Sequence, residues 1–210
     1  MKAIHSIKTL LSVLAIAILL QGISLSWAQE TTPADGPEEV IRNLQSTLLQ
    51  SMHEGESLGF QGRYDLLAPI VGQSHHFEFI IRTVLGTHWT ELDPSQQEEI
   101  ADIFSQLSIA TYASQFKAYD GEQFEILENR PFPQNHIEVR THLIKADKST
   151  IDLRYLMRQE ETGWRIVNIV AKGVSDLAIK RTEYRSILQR DGYPALINML
   201  KEKIIEAEQI

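Results

Sequence analysis

Two adjacent histidines, His75-His76, and two adjacent glutamates, Glu160-Glu161, are the pairs in this chain with the chemistry for metal or acid–base work. Neighbouring residues on a helix point about 100° apart, so His75 and His76 do not readily share one ion. No HExxH spacing brings two imidazoles onto one face. Solvated histidines at a helix start are the better reading. Glu160-Glu161 falls in a hairpin link, where exposed charge is the rule. The sequence has no GxSxG, no P-loop and no dinucleotide fingerprint. It has no cysteine either, which excludes disulfides, thiol nucleophiles and cysteine-held metals. A hydrolase triad assembled in space stays open at this point.

The segments that would line a site have little acid–base chemistry to offer. Ile137, Val139, Thr141 and Leu143 alternate with polar residues, as do Ile151, Leu153, Tyr155 and Met157. Period two with one apolar face predicts half-buried antiparallel strands. Phe124 and Ile126 open the series, and Trp164, Ile166, Asn168 and Val170 close it. Only Thr141, Tyr155 and Asn168 on these inward faces are polar, and none titrates near neutrality.

Helices flank this meander. Pro37 suits a first helical position, and Ile41, Leu44, Leu48 and Met52 form a stripe running out near Gly55. Gly62-Arg63-Tyr64 opens a short element expected to stop before Pro69. Ser74 is the expected cap of a helix carrying Phe77, Ile80, Ile81, Val84 and Leu85, closed by Gly86. Asp93-Pro94-Ser95-Gln96 is a capping box. The helix after it, expected to reach about Tyr119, has two apolar faces. Ile100, Ile103, Phe104 and Leu107 share one, and Ile109, Tyr112, Ala113 and Phe116 lie nearly opposite. Either the helix breaks near Ser108 or its halves are buried on opposite sides. After Trp164 the chain turns at Gly173, and Ser175 caps a helix bearing Leu177, Tyr184 and Leu188. Gly192 ends it, and a last helix carries Leu196, Ile197, Leu200 and Ile204. The order is α+β: a helical layer on a curved antiparallel sheet of about four strands.

Residues 1–28 have the pattern of a secretory signal peptide. Lys2 and Lys8 precede the uncharged run Leu10–Leu20, and Ser26-Trp27-Ala28 offers small-x-small cleavage. Residues 29–37 form a polar lead-in, and residues 38–210 suit a single domain with a proper core. Loss of Lys2 and Lys8 with the signal moves the net charge from −8 to −10. Such a chain is repelled by nucleic acid and by anionic membrane surfaces. Export without disulfides fits a periplasm.

Gly163-Trp164, Gly173-Val174-Ser175 and Tyr184 resemble the toluene-tolerance or MlaC-type family of periplasmic lipid-binding proteins. Upstream matches follow in order: the Phe-rich helix ending at Gly86, Trp89, Tyr112, Tyr119-Asp120-Gly121 and Tyr155. The resemblance covers about Glu38 to Lys203. Asn168 stands where the phospholipid branch usually carries aspartate. With Gly62-Arg63-Tyr64, Pro69, Tyr112-Ala113 and Glu183-Tyr184, it looks closer to the hopanoid-associated (HpnM-like) branch.

The resemblance implies a monomeric carrier that needs no cofactor, metal or catalytic residue. It would hold the acyl chains of a phospholipid or hopanoid in an apolar cavity between sheet and helices. Its implied partners are an outer-membrane lipoprotein complex and an inner-membrane ABC transporter with an MCE-type component. Expected cavity walls are Ile80, Val84, Trp89, Tyr112 and Phe116 from the helices. Val139, Leu143, Leu153, Tyr155, Trp164, Ile166 and Val174 are expected from the sheet and its corner. Pattern alone leaves two rivals standing: an adaptor or chaperone with a solid core, and an enzyme for an apolar substrate.

Overall fold

The computed structural model describes residues 36–209. The signal and most of the lead-in expected over residues 1–35 lie outside them.

Six helices and five strands follow in chain order. They are α1 (Pro37–His53), α2 (Gly55–Ser74), α3 (Phe77–Leu85), α4 (Pro94–Gln115), β1 (Gln123–Phe132), β2 (His136–Ile144), β3 (Thr150–Glu160), β4 (Gly163–Ala171), β5 (Val174–Ser175), α5 (Asp176–Asp191) and α6 (Tyr193–Gln209). A single 3-10 turn over Gly86–Glu91 joins α3 to α4. The strands form one sheet in sequence order, all antiparallel. Four strands were expected; the fifth is a two-residue return after the turn at Lys172 and Gly173, where both residues have positive φ. α1 lies against β1, β2 and β4, while α2, α3 and α5 meet the sheet at β4.

Several local signals act as expected. Pro37 opens α1, and Asp93 with Gln96 forms a reciprocal capping box at α4. The Ser175 hydroxyl accepts from the Ala178 N–H at the head of α5. Others do not. α2 runs straight through Pro69, because its break falls earlier, at Gly59 (φ 62°, ψ −175°). That conformation is open to glycine and costly to other residues. Ser74 ends α2 instead of capping α3. The α3 cap is His76, which accepts from the Phe79 N–H at 3.3 Å.

The two faces of α4 resolve cleanly. The helix is unbroken across Ser108, and its halves enter different apolar clusters. Ile100, Ile103, Phe104 and Leu107 pack with α3, α5 and α6 in a helical cluster. Ile109 and Ala113 pack with α1, α2 and the sheet in a second cluster that includes Val139, Tyr155, Met157 and Ile166. The far end of α4 is fixed by donors from the first two helices. Arg63, only 7% exposed, donates from Nε to the Ala113 carbonyl and from Nη1 to the Gly55 carbonyl, each at 2.8 Å. Ser51 Oγ donates to the Phe116 carbonyl at 2.9 Å. The bonds to Ala113 and Phe116 satisfy carbonyls that the end of α4 leaves without helical partners.

In the helical cluster, Arg185 of α5 donates from Nε to the Val84 carbonyl at 2.7 Å. Gly86 makes room for it: a Cβ there would sit 2.3 Å from Arg185 Nη2.

Candidate functional site

The two apolar clusters differ in closure. In the helical cluster most side chains are buried; in the sheet–helix cluster the half-buried ones predominate. Phe60 and Tyr64 of α2, Tyr112 and Phe116 at the end of α4, Phe124 and Ile126 of β1, and Leu153 of β3 all keep partial exposure while packing on the second cluster. They form an apolar seam between sheet and helices. Aromatic rings run along it: Tyr112 to Phe116 at 5.9 Å between centroids, then Phe116 to Phe124 at 6.5 Å.

Seven of the twelve expected wall residues come together in this second cluster: Tyr112, Phe116, Leu153 and Trp164 half-buried, and Val139, Tyr155 and Ile166 buried among its core. The other five do not. Ile80, Val84 and Trp89 face the helical cluster, because α3 turns its stripe toward α4 and α5. Leu143 is half-buried near the end of β2, paired with Phe124 and Ile151. Val174 is 53% exposed, since β5 is a short edge return with nothing packed over that side chain.

A β-bulge explains a further difference. The register of β4 shifts between its pairings to Met157 and Leu156, leaving Val167 as the extra residue. A bulge reverses the alternation beyond it. Ile169 and Ala171 therefore lie opposite Tyr155 and Leu153, and Asn168 and Val170 turn to the other face. Asn168 is thus not a wall residue. Its Oδ1 accepts from Ser175 Oγ at 3.1 Å and from the Leu177 N–H at 3.4 Å, at the head of α5.

A polar thread crosses the second cluster. Gln45 of α1, 4% exposed, donates to Thr141 Oγ1 at 3.1 Å, and both groups reach the Tyr155 hydroxyl. Burial pushes the Tyr155 hydroxyl up to about 12. His75, expected to be solvated, is instead 5% exposed. Its Nδ1 lies 3.0 Å from the Val71 carbonyl, which only accepts, so Nδ1 carries the proton. Nε2 then accepts from the Tyr112 hydroxyl at 3.2 Å. Desolvation lowers the imidazole to about 4, so it is neutral at neutral pH. Both ring nitrogens are occupied, and the ring stacks on Phe77 at 5.2 Å. Sequence reasoning missed this placement because His75 sits at a non-helical junction, where helical spacing says nothing about direction.

Two open clefts adjoin these clusters. One, of about 520 Å³, lies where α2 meets α3 beside the β3–β4 hairpin, lined by His75, His76, Phe77, Glu78, Glu160 and Arg165 among others. The other, of about 480 Å³, lies between α3 and α4, with Trp89 and Phe77 among its walls. Both are rimmed by charge, and neither is the enclosed apolar chamber that was expected.

Known proteins bear on this arrangement in three ways. A curated relative from Haemophilus influenzae, "Intermembrane phospholipid transport system binding protein MlaC", is 24% identical over 131 residues, 60% of this chain. The chain matches 61% of the length of that relative. A solved structure of a phospholipid-binding protein from Ralstonia solanacearum, in complex with a phospholipid, superposes with a TM-score of 0.72 at 18% identity. It covers 82% of this chain and 99% of that one, so the two share a fold. The family model described as "MlaC protein" matches residues 42–202, and this chain belongs to that family.

Proposed function

We propose that this protein is a periplasmic carrier that shelters the acyl chains of a phospholipid in the seam between its sheet, α2 and the end of α4. The observation that carries the reading is the half-buried apolar lining of that seam, set beside a helical cluster whose side chains are mostly buried. A methylene leaving water gains about 0.8 kcal/mol, so a 16-carbon chain gains roughly 12 kcal/mol from apolar walls. No reactive group is needed for this. The buried His75 imidazole beside the seam is neutral and has both nitrogens engaged. That supports a binding protein over an enzyme.

Delivery between an outer-membrane lipoprotein complex and an inner-membrane ABC transporter with an MCE-type component fits the acidic chain. A net charge of −8, moving to −10 without the signal, disfavours residence on anionic lipid and favours docking on proteins. A hopanoid cargo has less support. The residue that most set it apart, Asn168, caps a helix and does not face the seam.

The test is direct. The protein is purified without detergent and extracted with organic solvent, and the extract is read by mass spectrometry. About one phospholipid per chain is the expected result. A stoichiometric hopanoid would change the cargo, and a lipid-free extract would favour the solid-core adaptor.

A further inference from the structure

The cleft of about 520 Å³ beside the β3–β4 hairpin is lined by charges of both signs. Some are already paired: Glu160 meets Arg158 at 2.9 Å and His76 at 3.5 Å. Others are not. Arg165 engages only uncharged oxygens, the Gly72 carbonyl at 3.3 Å and the Thr162 hydroxyl at 3.2 Å. A guanidinium has five donors, so several remain available. Glu78 of α3 and Glu161 of the hairpin enter no ion pair among the described residues. One cation and two carboxylates thus line a cleft without forming a close ion pair among the described residues.

Two rings, His75 and Phe77, stand between the cleft and the seam. His75 lines it, and the same ring receives the Tyr112 hydroxyl on the seam side. Phe77 lines it too, stacks on His75 and packs against both apolar clusters. A group seated here lies about one aromatic ring from the seam.

We propose that this cleft seats a zwitterionic headgroup, a phosphodiester bearing a primary amine, of the lipid whose chains occupy the seam. The inference rests on the carrier reading above. Arg165 donates to the phosphate, and Glu78 with Glu161 receives the ammonium. A purely anionic headgroup leaves both carboxylates facing a phosphate, which disfavours it. Water-soluble glycerophosphoethanolamine carries the same chemistry; the contact through His75 and Phe77 favours the lipid.

The full chain is incubated with vesicles of equimolar phosphatidylethanolamine and phosphatidylglycerol, re-isolated and extracted, and the ratio of the two lipids is measured. The expected enrichment in phosphatidylethanolamine is about fivefold, equivalent to about 1 kcal/mol from two partly solvated ion contacts. In Glu78→Gln/Glu161→Gln the ratio falls toward one. In Arg165→Gln both lipids decline and the ratio holds, since the phosphate is common to both. Glu161→Gln alone, at an exposed hairpin position, gives an intermediate ratio without risk to folding.

An even ratio in the unaltered protein, or one that survives the double substitution, overturns the headgroup assignment and leaves the carrier reading standing. A protein that takes up neither lipid overturns both. Saturable binding of glycerophosphoethanolamine to a protein without lipid preference assigns the cleft to a soluble ligand and also overturns the proposal.

Discussion

Acid should weaken this fold chiefly through His75, whose burial sets the size of the effect. The imidazole titrates near its ordinary 6.5 when unfolded and near about 4 when folded, because burial penalises its charged form. Between those values the unfolded chain binds more protons, so stability rises with pH across the window. The contribution is complete above about pH 6.5 and is lost as pH falls toward 4. The whole span corresponds to about 3 kcal/mol, and the loss by pH 5 to about 2 kcal/mol. Asp176 and the Val71 carbonyl oppose the shift without reversing it. His76 is lowered too, chiefly by desolvation, and pulls the same way. His75→Phe separates the two. It keeps a ring against Phe77 and removes the titration, and its cost in lost hydrogen bonds to Val71 and Tyr112 varies little with pH. Urea unfolding from about pH 7.5 to about pH 5 should move the midpoint of the unaltered protein down by roughly 1 M more than that of the variant. Parallel pH profiles would show that His75 is not held neutral by the fold, and the reasoning fails.

Three further outcomes are expected. Leu153→Trp, at a half-buried seam position, should cost about 1–3 kcal/mol in overpacking and remove most bound lipid from solvent extracts; undiminished lipid would move the chains elsewhere. Arg63→Met strips the Ala113 and Gly55 carbonyls of their donor and should lower unfolding free energy by about 2–4 kcal/mol in denaturant titration, because both lie in buried surroundings. Asn168→Asp keeps the acceptor for Ser175 and Leu177 and adds negative charge at the head of α5. It should gain about 0.3–1 kcal/mol in thermal unfolding at low salt without altering the lipid carried.

Apolar periodicity made most of the fold readable. The α1 stripe of Ile41, Leu44, Leu48 and Met52 is buried as expected, and so are Ile80, Ile81, Val84 and Leu85 of α3. What stayed hidden has particular causes. Pro69 reads as a stop, yet a helix tolerates it here, and the real break at Gly59 depends on a backbone conformation that one letter does not announce. The bulge at Val167 inserts one residue into an otherwise regular alternation, and VNIV gives no sign of where the phase reverses. That single insertion moved Asn168 and Val170 off the seam and put Ile169 on it. Ile80, Val84 and Trp89 were misplaced for another reason: a stripe shows that a face is buried, not which of two apolar bodies buries it.

The division into two bodies is itself an argument about function. A carrier must bind a chain worth roughly 12 kcal/mol in burial and still let it go, so the surface that opens for cargo cannot also be what holds the fold together. α4 meets that demand with one continuous helix whose first half is locked among α3, α5 and α6 and whose second half lines the seam. Its far end is pinned by Arg63 and Ser51, which fixes the backbone that carries Tyr112 and Phe116. The change of apolar face at Ser108 is what a single core would never require. Here it lets the first half of α4 anchor the helix in a buried cluster while the second half faces the seam where the proposed cargo would lie.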